Sequence, residues 1–308
     1  MKGWILFDHK DKSLQSEQGE INRFIETAEK RNIDIKVIEP NQFDLIVTRG
    51  TSDSIMIDGN PTSLPDFFLP RTGASTNYYS LAIIRQLERM NVPTFNTAQS
   101  IENVKDKLFT QQILASSNLP VPRTMLAKYP INADLVEKHL RFPVVVKTLS
   151  GSQGSGVYLS KSKSEFTRLM QLIDAAKTNI NIIIQEFIQT SHGQDLRVMV
   201  IGGRAIAAMQ RISQKGEFRA NISKGGLGKS FPLNSEIEWL ATESAKILGL
   251  DIAGIDLLFD GDHFKICEAN SSPGFTGLEK YCKVNIPHEI FNFISVRLGL
   301  FEQYYLAK

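Results

Sequence analysis

Cysteine is almost absent from this chain: 308 residues hold only Cys267 and Cys282. Neither has CxxC spacing or a nearby histidine cluster, which leaves no zinc motif and no disulfide framework and predicts two reduced thiols. No apolar run approaches the ~20 residues a bilayer span needs. The opening Met1–Asp8 stretch is far shorter than the core of a signal peptide, and the expectation is a cytoplasmic protein without membrane contact. Net charge is absent too: 35 Lys and Arg stand against 33 Asp and Glu, a balance of +2. That gives no electrostatic case for nucleic acid as a partner. There is no internal repeat and no low-complexity segment. What remains is an ordinary globular composition, 42% hydrophobic and 22% charged, long enough for two or three lobes.

The first hundred residues alternate strand-like and helix-like patterns. Trp4–Asp8, Ile35–Ile38, Leu45–Thr48 and Asp66–Pro70 read as strands. Glu17–Arg31 reads as a helix with Ile21, Phe24, Ile25 and Ala28 on its apolar side, and Ser80–Met90 as another. Asp58-Gly59 carries a tight-turn signal. The alternation predicts a small α/β lobe with a largely parallel sheet. Beyond residue 96 the pattern changes. A long helix is expected over Ser100–Ser116, ended by Pro120-Val121-Pro122. Phe142–Lys147 and Asn181–Ile188 read as buried strands. Arg197–Ile201 and Arg204–Ile212 form a hairpin about Gly202-Gly203, and Ala253–Phe259 and His263–Ala269 a last strand pair. Ile237–Leu248 is an amphipathic helix stopped by Gly249.

Three segments carry chemistry. In the first, Glu268 and Asn270 lie two apart on a strand and so share a face. With a three-residue loop at Asp260–Asp262, Asp256 falls opposite Ile266, diagonal to Glu268 and on that same face. Two carboxylates and an amide oxygen of this kind suit Mg²⁺; the alternative is a chance grouping of polar residues at strand ends. In the second, Ser150-Gly151-Ser152-Gln153-Gly154-Ser155-Gly156-Val157 follows a strand ending on Lys147. Its glycines allow backbone N–H groups to turn toward a phosphate, Lys147 supplies a fixed cation, and a plain linker is the alternative. The third is the basic group Arg211, Arg219 and Lys224 with Asn221, which fits either an anion site or a solvated face. Gly225–Ser230 ends like a P-loop, but Ser223 stands where that motif needs glycine and no strand immediately precedes it, so a Walker site is excluded.

Taken in order, these pieces resemble the ATP-grasp superfamily, and within it the RimK-like alpha-L-glutamate ligases. The likeness runs from Phe68-Leu69-Pro70-Arg71-Thr72-Gly73 and Arg85-Gln86-Leu87-Glu88 through Lys105-Asp106-Lys107-Leu108 and Val145-Val146-Lys147. It continues through the 151–157 loop, Gln185-Glu186-Phe187-Ile188, Asp195-Leu196-Arg197 and Gly216–Asn221, and ends at Glu268-Ala269-Asn270-Ser271-Ser272-Pro273-Gly274. The resemblance implies an α/β protein: an ATP-grasp fold over 97–308, in two lobes of about 97–187 and 188–308 with ATP between them, preceded by an N-terminal α/β domain over 1–96. It implies that Lys107 and Lys147 contact phosphates, with Gly151, Ser152, Gln153, Gly154, Ser155 and Gly156 closing over them. Gln185, Glu186 and Phe187 would meet adenine, mainly through backbone groups, and Asp195 the ribose. Arg219 and Asn221 would contact nucleotide, Arg211 the transferred phosphoryl group, and Asp256, Glu268 and Asn270 two Mg²⁺ ions (or Mn²⁺). The implied reaction joins L-glutamate to a carboxylate of a peptide, a protein C-terminus or a small acid, through an acyl phosphate. Glutathione-synthetase-like and lysine-biosynthesis-like ligases, and a non-catalytic nucleotide-binding regulator, are the competing readings. The resemblance also suggests a homo-oligomer.

Overall fold

The structure is a computed structural model that describes residues 1–11, 14, 17–49, 54–149, 156–175, 180–213, 217–218, 220 and 226–300. It begins with β1 (Lys2–Leu6), α1 (Gln18–Lys30) and β2 (Asp34–Ile38). Strand β1 is buried on both faces: Ile5 and the following Phe7 enter one apolar cluster, Trp4 and Leu6 another. Such two-sided burial belongs to parallel sheets covered by helices. The sheet also holds the strand Phe67–Pro70, numbered β6 below in chain order, which pairs with β1 on the side away from β2; all three strands are parallel. α1 turns Ile21, Phe24 and Ala28 into the first cluster. α2 (Tyr78–Arg89), N-capped by the Asn77 side chain, turns Ile84 and Leu87 into the second.

Two expectations fail here. Leu45–Thr48 does not join the parallel sheet. β3 (Phe43–Leu45), β4 (Ile55–Ile57) and β5 (Asn60–Pro61) form a separate antiparallel meander, which precedes β6 (Phe67–Pro70) in the chain. Its last turn is Asp58-Gly59, with both residues at positive φ. The long helix over 100–116 is also two helices, α3 (Ala98–Lys105) and α4 (Lys107–Ser116). Asp106 between them is extended, and its carboxylate accepts from the N–H groups of Leu108 and Phe109, so it caps a new helix instead of continuing the old one.

Two antiparallel sheets complete the architecture. The smaller has β7 (Thr124–Leu126), β8 (Val144–Thr148), β9 (Val157–Ser160) and β10 (Ile182–Glu186) in the order β7-β10-β8-β9. α5 (Ala133–Leu140) and α6 (Lys163–Ala175) cover one face. Alternation along the strands sends Val144, Val146, Ile182 and Ile184 to those helices, and Val145, Lys147 and Gln185 to the other side. The larger sheet has β11 (Gln194–Ile201), β12 (Arg204–Ile212), β13 (Leu227–Phe231), β14 (Ile252–Asp260) and β15 (His263–Asn270), in the order β13-β12-β11-β14-β15. α7 (Ser235–Leu248) packs on Leu196, Val198, Ile255, Leu257 and Ile266. It stops at Gly249, whose φ of 74° is the left-handed cap glycine accepts without strain. β13 takes in the end of the P-loop look-alike, which is thus part of an edge strand. α8 (Thr276–Cys282) and α9 (Ile286–Arg297) then return to the first sheet: Phe291 and Ile294 share a core with Phe24 and Phe67 and with Met199 and Met209 of the larger sheet. Among the described residues no helix is long and apolar enough to cross a membrane.

Candidate active site

The face of the smaller sheet away from α5 and α6 and the face of the larger sheet away from α7 look at each other across a cleft of about 970 Å³. Lys105–Lys107 and the 270–277 segment line it as well, as do Glu17 and Glu20 of the N-terminal part. The polar residues of both sheets meet there because period-2 alternation has given the apolar ones to the helices.

The larger sheet presents a row of alternating charge. In register, Asp195 of β11 stands opposite Arg211 of β12, and Arg197 of β11 opposite Asp256 of β14. Arg211 grips Asp195 with two bonds of 2.6 and 2.7 Å, and Arg197 grips Asp256 with two of 2.7 Å. Arg211 also reaches Asp256 at 2.9 Å. Burial pushes the Asp256 carboxyl up, but the two guanidiniums outweigh it and hold the group down at about 2. Glu268 of β15 lies directly opposite Asp256. The expected register differs: Asp260 pairs with His263 about a two-residue Gly261-Asp262 turn. A bulge then takes up Cys267, so Leu257 faces Ile266 while Asp256 faces Glu268. The carboxylates converge as expected, by another geometry.

Lys147 projects from β8 and donates to Gln185 Oε1 at 2.6 Å; its Nζ lies 3.6 Å from Cys267 Sγ. Gln185 is in turn anchored on Thr124 Oγ1 at 2.9 Å. Lys107, the first residue of α4, lies 3.9 Å from Glu268. Gln185, Glu186 and Phe187 line the cleft. The Glu186 carboxylate accepts from Arg123 N (3.0 Å), Arg123 Nε (2.8 Å) and Lys265 Nζ (2.8 Å), so it ties β10 to β15 of the larger sheet. Gly156 has φ +74°, and a Cβ there would fall 2.3 Å from Thr148 Oγ1, which explains glycine at that end of the loop. Gly151, Ser152, Gln153, Gly154, Ser155, Arg219 and Asn221 lie outside the described residues.

The donor chemistry of Asp256, Glu268 and Asn270 decides whether they suit a cation. Among the described residues no group of three or more carboxylate, thiol or imidazole side chains could hold a metal by itself. Two carboxylates with one amide oxygen are instead the incomplete hard-donor set that Mg²⁺ uses when phosphates finish its shell. Asn270 donates its Nδ2 to Gly254 O at 3.3 Å, which leaves its carbonyl oxygen as the donor atom. The residues fit the ion. Sequence reasoning gave no role to Arg197, Glu17 or Lys265. Arg197 could have been found, since it shares the face of Asp195 two residues earlier; the other two depend on contacts distant in sequence.

Two antiparallel sheets closing on a polar cleft, after a small parallel α/β unit, define the ATP-grasp fold. Solved chains bear this out. An ATP-grasp ligase, PsnB, complexed with a phosphomimetic precursor variant, Mg and ADP, superposes with a TM-score of 0.74 over 96% of this chain and 98% of its own, at 17% identity. D-alanine–D-alanine ligase from Bacillus anthracis complexed with ATP gives 0.68 over the whole of both chains, at 18%. The RimK-like ATP-grasp domain matches residues 104–294 and the RimK PreATP-grasp domain residues 12–101. A probable alpha-L-glutamate ligase of Marinomonas sp. (strain MWYL1) is 35% identical over 89% of this chain and 90% of its own length. One from Legionella pneumophila (strain Corby) is 35% identical over 87% and 88%. The chain belongs to the RimK-like ATP-grasp family, and it is an ADP-forming ligase.

Proposed function

We propose that this enzyme joins the amino group of L-glutamate to a carboxylate of a peptide, a protein C-terminus or a small acid, through an acyl phosphate. The observation that carries this reading is the convergence on one cleft of the lysines of α4 and β8 with the charged row of the larger sheet. An acceptor carboxylate oxygen attacks the γ-phosphorus of ATP, the bond to the β-phosphate oxygen breaks, and ADP leaves. The amine then attacks the acyl carbon, an amide forms and phosphate departs. Such chemistry asks mainly for positioning and charge. Lys147, fixed by Gln185, and Lys107, fixed by the start of α4, hold phosphate oxygens. Arg197 and Arg211 keep Asp256 ionised and aimed. Asp256, Glu268 and Asn270 would hold two Mg²⁺ ions, which when bound offset charge on the transferring phosphoryl group. The backbone of Gln185, Glu186 and Phe187 borders adenine, while the Glu186 side chain holds the sheets at a working separation.

The test is ADP release with glutamate crossed against triglutamate, a peptide ending in Glu-Glu, and citrate. With an acceptor labelled with ¹⁸O in its carboxylate, one labelled oxygen should reach the released phosphate. Label in AMP would show adenylation and sink the mechanism. ADP release with another amino acid in place of glutamate would move the enzyme to a different ligase of the superfamily.

A further inference from the structure

Glu17 stands at the end of the cleft formed by the N-terminal unit, across from the charged row. It immediately precedes α1 and occupies its N-cap position, yet its side chain makes no cap hydrogen bond with that helix. The carboxylate lines the cleft instead, with 17% of the side chain exposed. A Cβ on Gly73 would fall 3.4 Å from its Oε1, and Gly274, Thr276 and Gly277 line the same cleft.

The charged neighbours of Glu17 are Arg71 from just after β6, Glu20 from α1 and Arg197 from β11. Arg71 is almost wholly spoken for. It donates to Glu20 at 2.8 Å and to the Pro273 carbonyl at 3.1 and 3.2 Å, and reaches Glu17 only at 3.3 Å. Glu20 is committed to the fold: its other oxygen accepts from Phe275 N (2.6 Å), Thr276 N (3.0 Å) and Thr276 Oγ1 (3.1 Å). Two buried polar atoms of this corner, Arg71 Nε and Ser272 Oγ, have no hydrogen-bond partner among the described residues. Glu17 is thus a carboxylate facing a cavity that is lined by glycine and joins Asn270 through 271–274.

We propose that Glu17 binds the ammonium group of the incoming amino acid and takes one proton from it, so that the neutral amine attacks the acyl phosphate. This rests on the ligase reading above. The ammonium gives one proton to the Glu17 carboxylate, and the freed lone pair forms the C–N bond. The second ammonium proton leaves with the phosphate as the bond between the acyl carbon and the phosphate oxygen breaks, and Glu17 returns its proton to solvent. Burial, with Glu20 adding and Arg71 and Arg197 opposing, pushes this carboxyl up to about 7. An ordinary glutamate near 4.3 would be a poor acceptor from the far more basic α-ammonium of a free amino acid, and the raised value narrows that gap.

The experiment compares two nucleophiles, with the best acceptor of the three-member screen. Hydroxylamine is uncharged at pH 7.5 and needs no base, so it traps the acyl phosphate as a hydroxamate directly. Glu17→Gln should lose glutamate-dependent turnover by about a hundredfold and keep hydroxamate formation within about threefold of wild type. The rise of wild-type kcat/KM for glutamate with pH through neutrality should vanish in that variant. Glu17→Asp should restore part of the turnover, and melting curves of each variant check the fold. Parallel loss of both nucleophiles in a folded Glu17→Gln, or unchanged glutamate turnover, overturns the inference while leaving the ligase reading intact. A wild-type enzyme that makes no hydroxamate with any of the three acceptors overturns both.

Discussion

Asp256 is buried and yet ionised, and Arg197 and Arg211 provide most of the compensation. Removing its charge leaves the largely buried Arg197 guanidinium without its carboxylate, while Arg211 keeps Asp195. Asp256→Asn should therefore lower stability by about 3 kcal/mol, the range seen when one partner of a buried pair is removed, measured by urea unfolding without nucleotide. Glu268 makes the opposite case. Its side chain is 40% exposed, and among the described residues its nearest ion-pair partner, Lys107, is at 3.9 Å. Glu268→Gln should leave unfolding unchanged within about 0.5 kcal/mol while nearly abolishing turnover and flattening the Mg²⁺ dependence of nucleotide binding. Wild-type Mg²⁺ dependence in that variant would remove Glu268 from the cation site. Glu17 adds a pH signature. Its carboxyl binds a proton more tightly folded than unfolded, so its contribution to stability is highest below about 4.5 and falls as pH rises toward about 7. Glu17→Gln removes that loss: its melting temperature should exceed wild type at pH 8 and match it near pH 4.5. Glu268 and Asn270 were legible because strand alternation puts them on one face, and Asp256 because the hairpin brings its strand alongside, although the bulge that sets it directly opposite Glu268 was not. Glu17 was not, because its distinguishing feature is burial beside Arg71, 54 residues further on.

At the scale of elements, the strands that build the cleft were readable. Val144–Val146 and Ile182–Ile184 are short apolar runs, and β11 and β12 meet at two glycines. The break between α3 and α4 was not read, because an aspartate within a helical pattern looks like a surface residue until its own side chain is seen to cap the second helix. That cap has consequences for the site, since Lys107 is the next residue. Asp106→Ala should cost about 1 kcal/mol and raise KM for ATP more than it lowers kcat, as the start of α4 frays. An unchanged KM would show that Lys107 is placed by other contacts. Glu186 is the second device at this scale. Burial pushes its carboxyl up, but Lys265 and Arg123 outweigh it and set the group below the usual carboxylate range. Its contribution is complete at neutral pH and is lost only as pH falls through that lowered value. Glu186→Ala should leave Lys265 without its 2.8 Å partner and loosen the smaller sheet from the larger one. A several-fold rise in KM for ATP with kcat changed less is the expected result.

Across the whole molecule, the apolar clusters are unevenly joined. One runs without interruption from the parallel sheet through α9 into the larger antiparallel sheet: Phe67, Phe291, Ile294 and Met199 all belong to it. The smaller sheet with α5 and α6 has a cluster of its own, built on Phe166, Val144 and Ile184. Its bonds to the rest include the Glu186–Lys265 ion pair and the contact of Lys147 with Cys267. Polar contacts of this kind contribute far less than a shared core, so the smaller lobe should open and unfold more readily than the remainder. Nucleotide lying between the sheets would touch both and couple them. Ligand at a hundred times its Kd adds about 2.7 kcal/mol to the state that binds it. Calorimetry should then show an early transition for the smaller lobe without ligand, and one later, merged transition with MgATP. Hydrogen exchange locates the effect: β8 and β10 should gain protection on binding, while β1 and β6 change little. Equal gains in all four strands would mean that the molecule already unfolds as one unit, and that the separate cluster of the smaller lobe does not make it a separate cooperative body.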